Sequence, residues 1–295
     1  MFLEYILGMK MSGVLSRADA ETMAEPKPKV ETDLDIAKCC EITLSKEENC
    51  NAKENLKGFL PLIVVAQFLG LLPILFIIYW AFSRAGGMVH CVLKMSNLHI
   101  ILSSISFVYL MGNSILTFRI LRNWPKNTLK MIHALIGGLN CILTIVSVWA
   151  AFNFHARAGS ADLYSVHSWI GMITLIMYIT QVVAGFYSFL YPGISAPKRT
   201  VLMPYHRFAG QALLALSVLA AVTGINEKAI FMLGKCYEEK ALEGILLNLS
   251  SVLFTLFAIV VIYTASSMEY KRYPRLEDDL SSPIKVNDSF DDIKI

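Results

Sequence analysis

Charge is scarce in this chain. Lys, Arg, Asp and Glu make up 17% of its 295 residues against 55% hydrophobic ones, and the mean hydropathy is +0.54. A soluble two-domain protein of that length needs more polar surface, so that class is excluded and a membrane protein is expected. No C-x-x-C pair occurs among the six cysteines, which argues against a metal site built from thiolates. The opening MFLEYILGMK is too short in apolar residues, and interrupted at Glu4, to read as a secretory signal. No pair of broken helices and no cluster of intramembrane acids supports the rival reading, a non-enzymatic transporter or channel with structural histidines. No nucleic-acid partner is expected.

Six long apolar runs are present, near residues 59–82, 97–118, 131–152, 166–190, 206–226 and 245–267. Runs of about 20 residues cross a hydrocarbon core of about 30 Å. The fold class expected is therefore an all-α integral membrane protein with six transmembrane helices. Residues 59–268 form the membrane domain, and residues 1–58 and 269–295 are two disordered tails, too polar to bury a core. Cations near the run ends give the orientation. Arg119, Arg122, Lys126 and Lys130 lie between the second and third runs, and Lys198, Arg199 and Arg207 lie between the fourth and fifth. Basic short connections stay in the cytosol, so both termini are cytosolic as well. The connection after the fifth run offsets Lys228, Lys235 and Lys240 with Glu227, Glu238, Glu239 and Glu243, and is placed outside. Of the cysteines, Cys91 and Cys236 fall in outer connections, where a disulfide between them is expected.

Four histidines open four consecutive runs: His99, His133, His167 and His206. Because consecutive helices alternate in direction, His99 and His167 fall near the outer face, and His133 and His206 near the cytosolic face. That makes two histidine pairs at two depths. Polar groups at such positions are costly and mark functional pathways, whereas a neutral imidazole that ligates iron escapes the penalty. Four residues after each, on the same helix face, stand Ser103, Gly137, Gly171 and Gly210, small side chains that leave a recess for a wide planar ligand. Two haems, each held by two histidines in a central bundle of helices 2–5, fit this pattern better than a bare metal ion. A second class of two-haem membrane protein takes two histidines from each of two helices, and no run here carries such a pair.

The segments LTFRILRNWPKNTLKMIHA, FNFHARAGSADLYSVHSWIGM and LMPYHRFAGQ resemble the cytochrome b561 family over roughly residues 60–270. The spacing of the four histidines and the HSW and P-x-H motifs make the likeness specific. One position departs from it: Ile100 follows the first histidine where many members have proline. The resemblance implies two b-type haems carrying electrons from cytosolic ascorbate to monodehydroascorbate or a ferric chelate outside. It pairs His99 with His167 on the outer haem and His133 with His206 on the cytosolic one. Lys126, Lys130 and Arg199 match positions that contact ascorbate or haem propionates, and Arg119, closing the second helix, joins them beside the cytosolic haem. By the same resemblance Asp162, Leu163, Tyr164 and Ser165 line the outer haem and Glu227 is an acid that contacts it. His155, with Asn153 nearby in the loop between helices 3 and 4, takes the outer substrate position. The implied setting is the bilayer of the plasma membrane or of a vesicle or endolysosome, with a homodimer as one expected arrangement.

Overall fold

A computed structural model describes residues 58–83, 91–237 and 242–272, without the side chains of residues 91–93, 235 and 236. The tails expected over 1–58 and 269–295 lie outside the described residues, apart from Gly58 and residues 269–272, and so do the side chains of the expected Cys91–Cys236 disulfide. Among the described residues there is no strand. Helix α1 is Phe59–Ser83 and α2 runs from Cys91 to Ile120 in three joined pieces, Cys91–Ser103, a π-helical segment Ser104–Leu110, and Met111–Ile120. Helix α3 is Lys126–Ala158, α4 is Val166–Gly185 with a π-helical end Phe186–Leu190, α5 is Ala196–Leu233, and α6 is Leu242–Ser266. All six are long and apolar enough to cross a membrane.

Helices α2, α3 and α5 overrun their expected bounds by several residues. The α5 helix has 38 residues, about 57 Å at 1.5 Å per residue, well beyond a hydrocarbon core of about 30 Å. Hydropathy marks where lipid ends, but the backbone ladder continues until something stops it. For α3 that is Pro125 at the N-cap and Gly159, in the left-handed conformation at φ 66°, at the C-cap. Asn153 and His155 therefore belong to the last turns of α3, not to a loop. Likewise Glu227 and Lys228 lie on α5, not in the connection after it.

In lipid the hydrophobic effect does not draw helices together, so close fit and hydrogen bonds must. Helix α1 packs along α6, α2 along α3, and α4 along α5, with α6 also against α5. Outward faces carry exposed apolar side chains such as Phe68, Leu135, Ile142 and Ile176, the expected lipid-facing surface. Phe257 of α6 is fully buried and sits against two glycines: a Cβ on Gly112 would fall 2.4 Å from its ring, and one on Gly70 3.0 Å. Beside it Gln67 Nε2 donates to Asn113 Oδ1 at 2.9 Å, and the Tyr109 hydroxyl donates to Gln67 Oε1 at 2.7 Å, tying α1 to α2.

Gly112→Ala is expected to destabilise the protein by about 1–3 kcal/mol, the usual cost of overpacking. Adding Phe257→Leu should recover part of the loss. Thermal unfolding in detergent checks this, and an unchanged midpoint in the single variant would show that the Phe257 ring can move aside.

Candidate functional site

An imidazole inside a membrane must satisfy both ring nitrogens or bear the cost of leaving one bare. His99 on α2 donates its Nδ1–H to the carbonyl of Ser147 on α3 at 2.9 Å. His133 on α3 returns the arrangement, donating to the carbonyl of Ser114 on α2 at 2.9 Å. His167 on α4 donates to the carbonyl of Ala220 on α5 at 2.8 Å. A carbonyl can only accept, so Nδ1 carries the hydrogen and each neutral ring keeps its Nε2 lone pair free. This is the arrangement by which second-shell carbonyls orient metal-binding histidines.

His206 on α5 is held differently. Its ring stands edge-on to Phe189, with centroids 5.1 Å apart, and rests on Gly185, where a Cβ would fall 3.1 Å from Cε1. Gln181 of α4 donates to its backbone carbonyl at 2.7 Å. Gly224 of α5 similarly seats His167, since a Cβ there would meet that ring at 2.5 Å. Sequence reasoning missed both glycines, yet a signal exists. Each lies 18 residues after the histidine of its own helix, His167 for Gly185 and His206 for Gly224. Eighteen residues are five turns of about 3.6, so they share a face. Each of the two antiparallel helices thus offers a histidine and, five turns on, the niche for its neighbour's.

The rings meet in the pairs expected from depth. His99 and His167 have centroids 6.0 Å apart, and His133 and His206 6.1 Å. Two metal–imidazole bonds of about 2.0 Å each, plus the reach from nitrogen to ring centre on both sides, account for such a separation. Among the described residues no three His, Cys, Asp or Glu side chains cluster to complete a bare-ion site. The pairs fit a metal that brings its own equatorial ligands. The glycines four residues on support a planar one: a Cβ on Gly171 would meet nothing within 4 Å, and those on Gly137 and Gly210 would meet one side-chain atom each, at 3.9 and 4.0 Å. Ser103 has a different task, sharing its hydroxyl with Ser147 Oγ at 2.6 Å beside the His99 ring.

A cavity of about 370 Å³ opens beside His99 and His167, lined also by Ser103, Gly171, His155, Glu227, Lys228 and Asp162 through Ser165. Leu163 adopts a left-handed φ of 52°, unusual for a branched residue, and the Trp169 indole holds its carbonyl at 2.7 Å. Ser165 caps α4, its Oγ accepting from the Ser168 amide at 3.2 Å, and so fixes the start of the helix that bears His167. His155 Nδ1 stands 3.1 Å from Asp162 Oδ1, an ion-pair distance without hydrogen-bond alignment. Asn153 is half-buried on α3 and is not among the residues lining this cavity.

At the other level Lys130 lies within range of the charges of Lys126 and Arg199, on the first turns of α3 and α5. Arg119 donates through Nη2 to the Ala265 carbonyl of α6, while its buried Nη1 has no protein partner. An anionic group of a cofactor fits that orphaned donor. Arg122, 4% exposed, packs over the Phe59 ring at 4.3 Å and donates to the Arg119 carbonyl.

The family described as eukaryotic cytochrome b561 matches residues 98–232, which contain all four histidines. The chain is 34% identical over 226 residues to the transmembrane ascorbate-dependent reductase CYB561 of Sus scrofa, covering 76% of this chain and 90% of that one. It is 32% identical over 241 residues to the plasma membrane ascorbate-dependent reductase CYBRD1 of Rattus norvegicus, covering 80% and 83%. The chain belongs to the cytochrome b561 family. It is thus a multi-pass membrane oxidoreductase with haem b as the family's cofactor, and the transporter reading falls away.

Gly224→Ala is expected to push His167 away from His99 and to leave the His133–His206 pair intact. An absorption titration should show less haem bound per protein, with the remainder spectrally normal. Full binding would mean that the His167 ring can yield to a methyl group.

Proposed function

We propose that this chain carries single electrons across the membrane, from ascorbate at the face bearing Lys126, Lys130 and Arg199 to an acceptor at the opposite face. The single observation behind this reading is the two imidazole pairs, 6.0 and 6.1 Å between centroids, on alternate helices at two levels. His133 and His206 would hold one b-type haem, and His99 and His167 the other. Haem held between two imidazoles supplies reversible one-electron chemistry. The chain's own residues bind, orient and exclude water.

Ascorbate is an anion at neutral pH, and the three cations on the first turns of α3 and α5 attract it close to His133 and His206. Positive-inside asymmetry puts that face, and with it both termini, in the cytosol. Arg119 and Lys126 would meet the anionic edge of the haem at this level; Asp162, Leu163, Tyr164, Ser165 and Glu227 would line the other. An inside-negative potential of about 100 mV favours outward passage of one electron by roughly 2.3 kcal/mol. At the outer face His155, half-exposed at the end of α3 and beside Asp162, offers a nitrogen to a ferric chelate or to monodehydroascorbate, with Asn153 two residues before it. The names of the relatives support ascorbate as the donor. The membrane concerned is the plasma membrane or that of a vesicle or endolysosome.

His133→Ala and His206→Ala are each expected to lower the haem-to-protein ratio from two to one and to abolish reduction by ascorbate. A ratio that stayed at two in either variant would mean that the ligands are assigned wrongly.

His155→Ala should leave both haems bound and their reduction by ascorbate intact, while slowing reoxidation by an external acceptor several-fold. Vesicles loaded with ascorbate, reduced and then offered ferric chelate or monodehydroascorbate outside, give the measurement. Reoxidation as fast as wild type with both acceptors would remove His155 from the site.

A further inference from the structure

Lys228 lies one helical turn beyond the His99–His167 pair, on the far side from Lys126 and Arg199. Its Nζ donates to Ser96 Oγ at 2.6 Å and stands 5.4 Å from the centre of the Phe154 ring and 6.0 Å from that of Trp80. Ser96 is three residues before His99 on α2, and Gly224, the seat of His167, is four residues before Lys228 on α5. Both spacings keep to one helix face. Lys228 therefore lines the same cavity as the two rings.

Lys228 is half-buried, and among the described residues no carboxylate comes within ion-pair distance of it. The acids that share the cavity, Asp162 and Glu227, are exposed. A hydroxyl and two aromatic faces stabilise a cation only partly, and an uncompensated charge taken out of water is costly enough that such groups in membrane helices mark function.

We propose that Lys228 is an anion-binding residue of the outer site, its ammonium receiving an anionic oxygen, carboxylate or enolate, beside the His99–His167 pair. This rests on the reading of that pair as ligands of the outer haem. The anion has two sources: a carboxylate carried by the bound haem, or an acceptor arriving from outside.

The test uses the two-haem holoprotein in vesicles, with Lys228→Gln, Lys228→Met and Lys228→Arg. Gln keeps a donor for Ser96 and Met keeps the packing, so one neutral variant remains if the other fails to assemble. A potentiometric titration and a reoxidation series are run on each, the latter with ferric citrate as an anionic acceptor and hexaammineruthenium(III) as a cationic one. For a haem carboxylate, the neutral variants lower the potential of one centre by about 59 mV, a tenfold change in a one-electron equilibrium, with the acceptor series unchanged. For an incoming anion, the half-saturating ferric citrate concentration rises about tenfold and that of the ruthenium complex does not. Arg should behave as wild type in both. Potentials and acceptor series that match wild type in the neutral variants, with both haems bound, would overturn the proposal. His99→Ala separates the two readings, because it must remove the centre that Lys228 affects. If that centre survives His99→Ala, the ligand assignment has failed, whatever Lys228 does.

Discussion

The hydrogen a neutral imidazole must place somewhere inside a membrane governs the arrangement of the four central helices. For His99, His133 and His167 it goes to a backbone carbonyl on the sequence-adjacent helix, at 2.8–2.9 Å. Those bonds join α2 to α3 in both directions and α4 to α5 in one, where Gln181 of α4 donating to the His206 carbonyl adds a second link in the same direction. The ring pairs run the other way, joining α2 to α4 and α3 to α5. Each helix is thereby fastened to one neighbour by a hydrogen bond and faces another across a pair of open nitrogens. Where lipid offers no competing partner, such bonds and close fits are what hold helices together.

The register of α2 against α3 follows from the same bonds. Between His99 and Ser114 the α2 helix uses 15 residues, whereas between Ser147 and His133 the α3 helix uses 14. The π-helical segment Ser104–Leu110 lies between the two cross-links and takes up the extra residue. An unbroken α-helix would leave one of the two histidines off its carbonyl. The π turn thus belongs to the site, and its Ser104 and Phe107 line the cavity beside His99 and His167.

The pairing of histidines was legible in the sequence because it needs only depth, and depth follows from helix direction and position along the run. The small residues four positions on were legible for the same local reason, and Gly171 does face open space. Two kinds of feature were not. Gly185 and Gly224 matter through contact with a ring on another helix, and an 18-residue spacing gains meaning only once α4 and α5 are known to lie side by side. His155 and Lys228 were placed in connections because hydropathy falls there, whereas the backbone keeps its helical bonds until a glycine or proline ends them. In a connection a lysine between acids reads as balanced surface charge. On a helix, against Ser96 and two aromatic rings, it is a fixed cation.

That fixed cation completes a parallel between the two levels. Arg119 at one and Lys228 at the other are each held by a neutral acceptor, the Ala265 carbonyl and the Ser96 hydroxyl. Among the described residues neither has a carboxylate within ion-pair distance. A protein that only needed to anchor these side chains would do better with an acid, which would cancel the charge as well as hold the group. A neutral anchor fixes the position and leaves the charge uncancelled. A positive charge left standing beside a centre that gains and loses electrons favours the state with the electron on it. On the proposed ligation, the fold therefore keeps a cation at each of the two stations the electron must occupy.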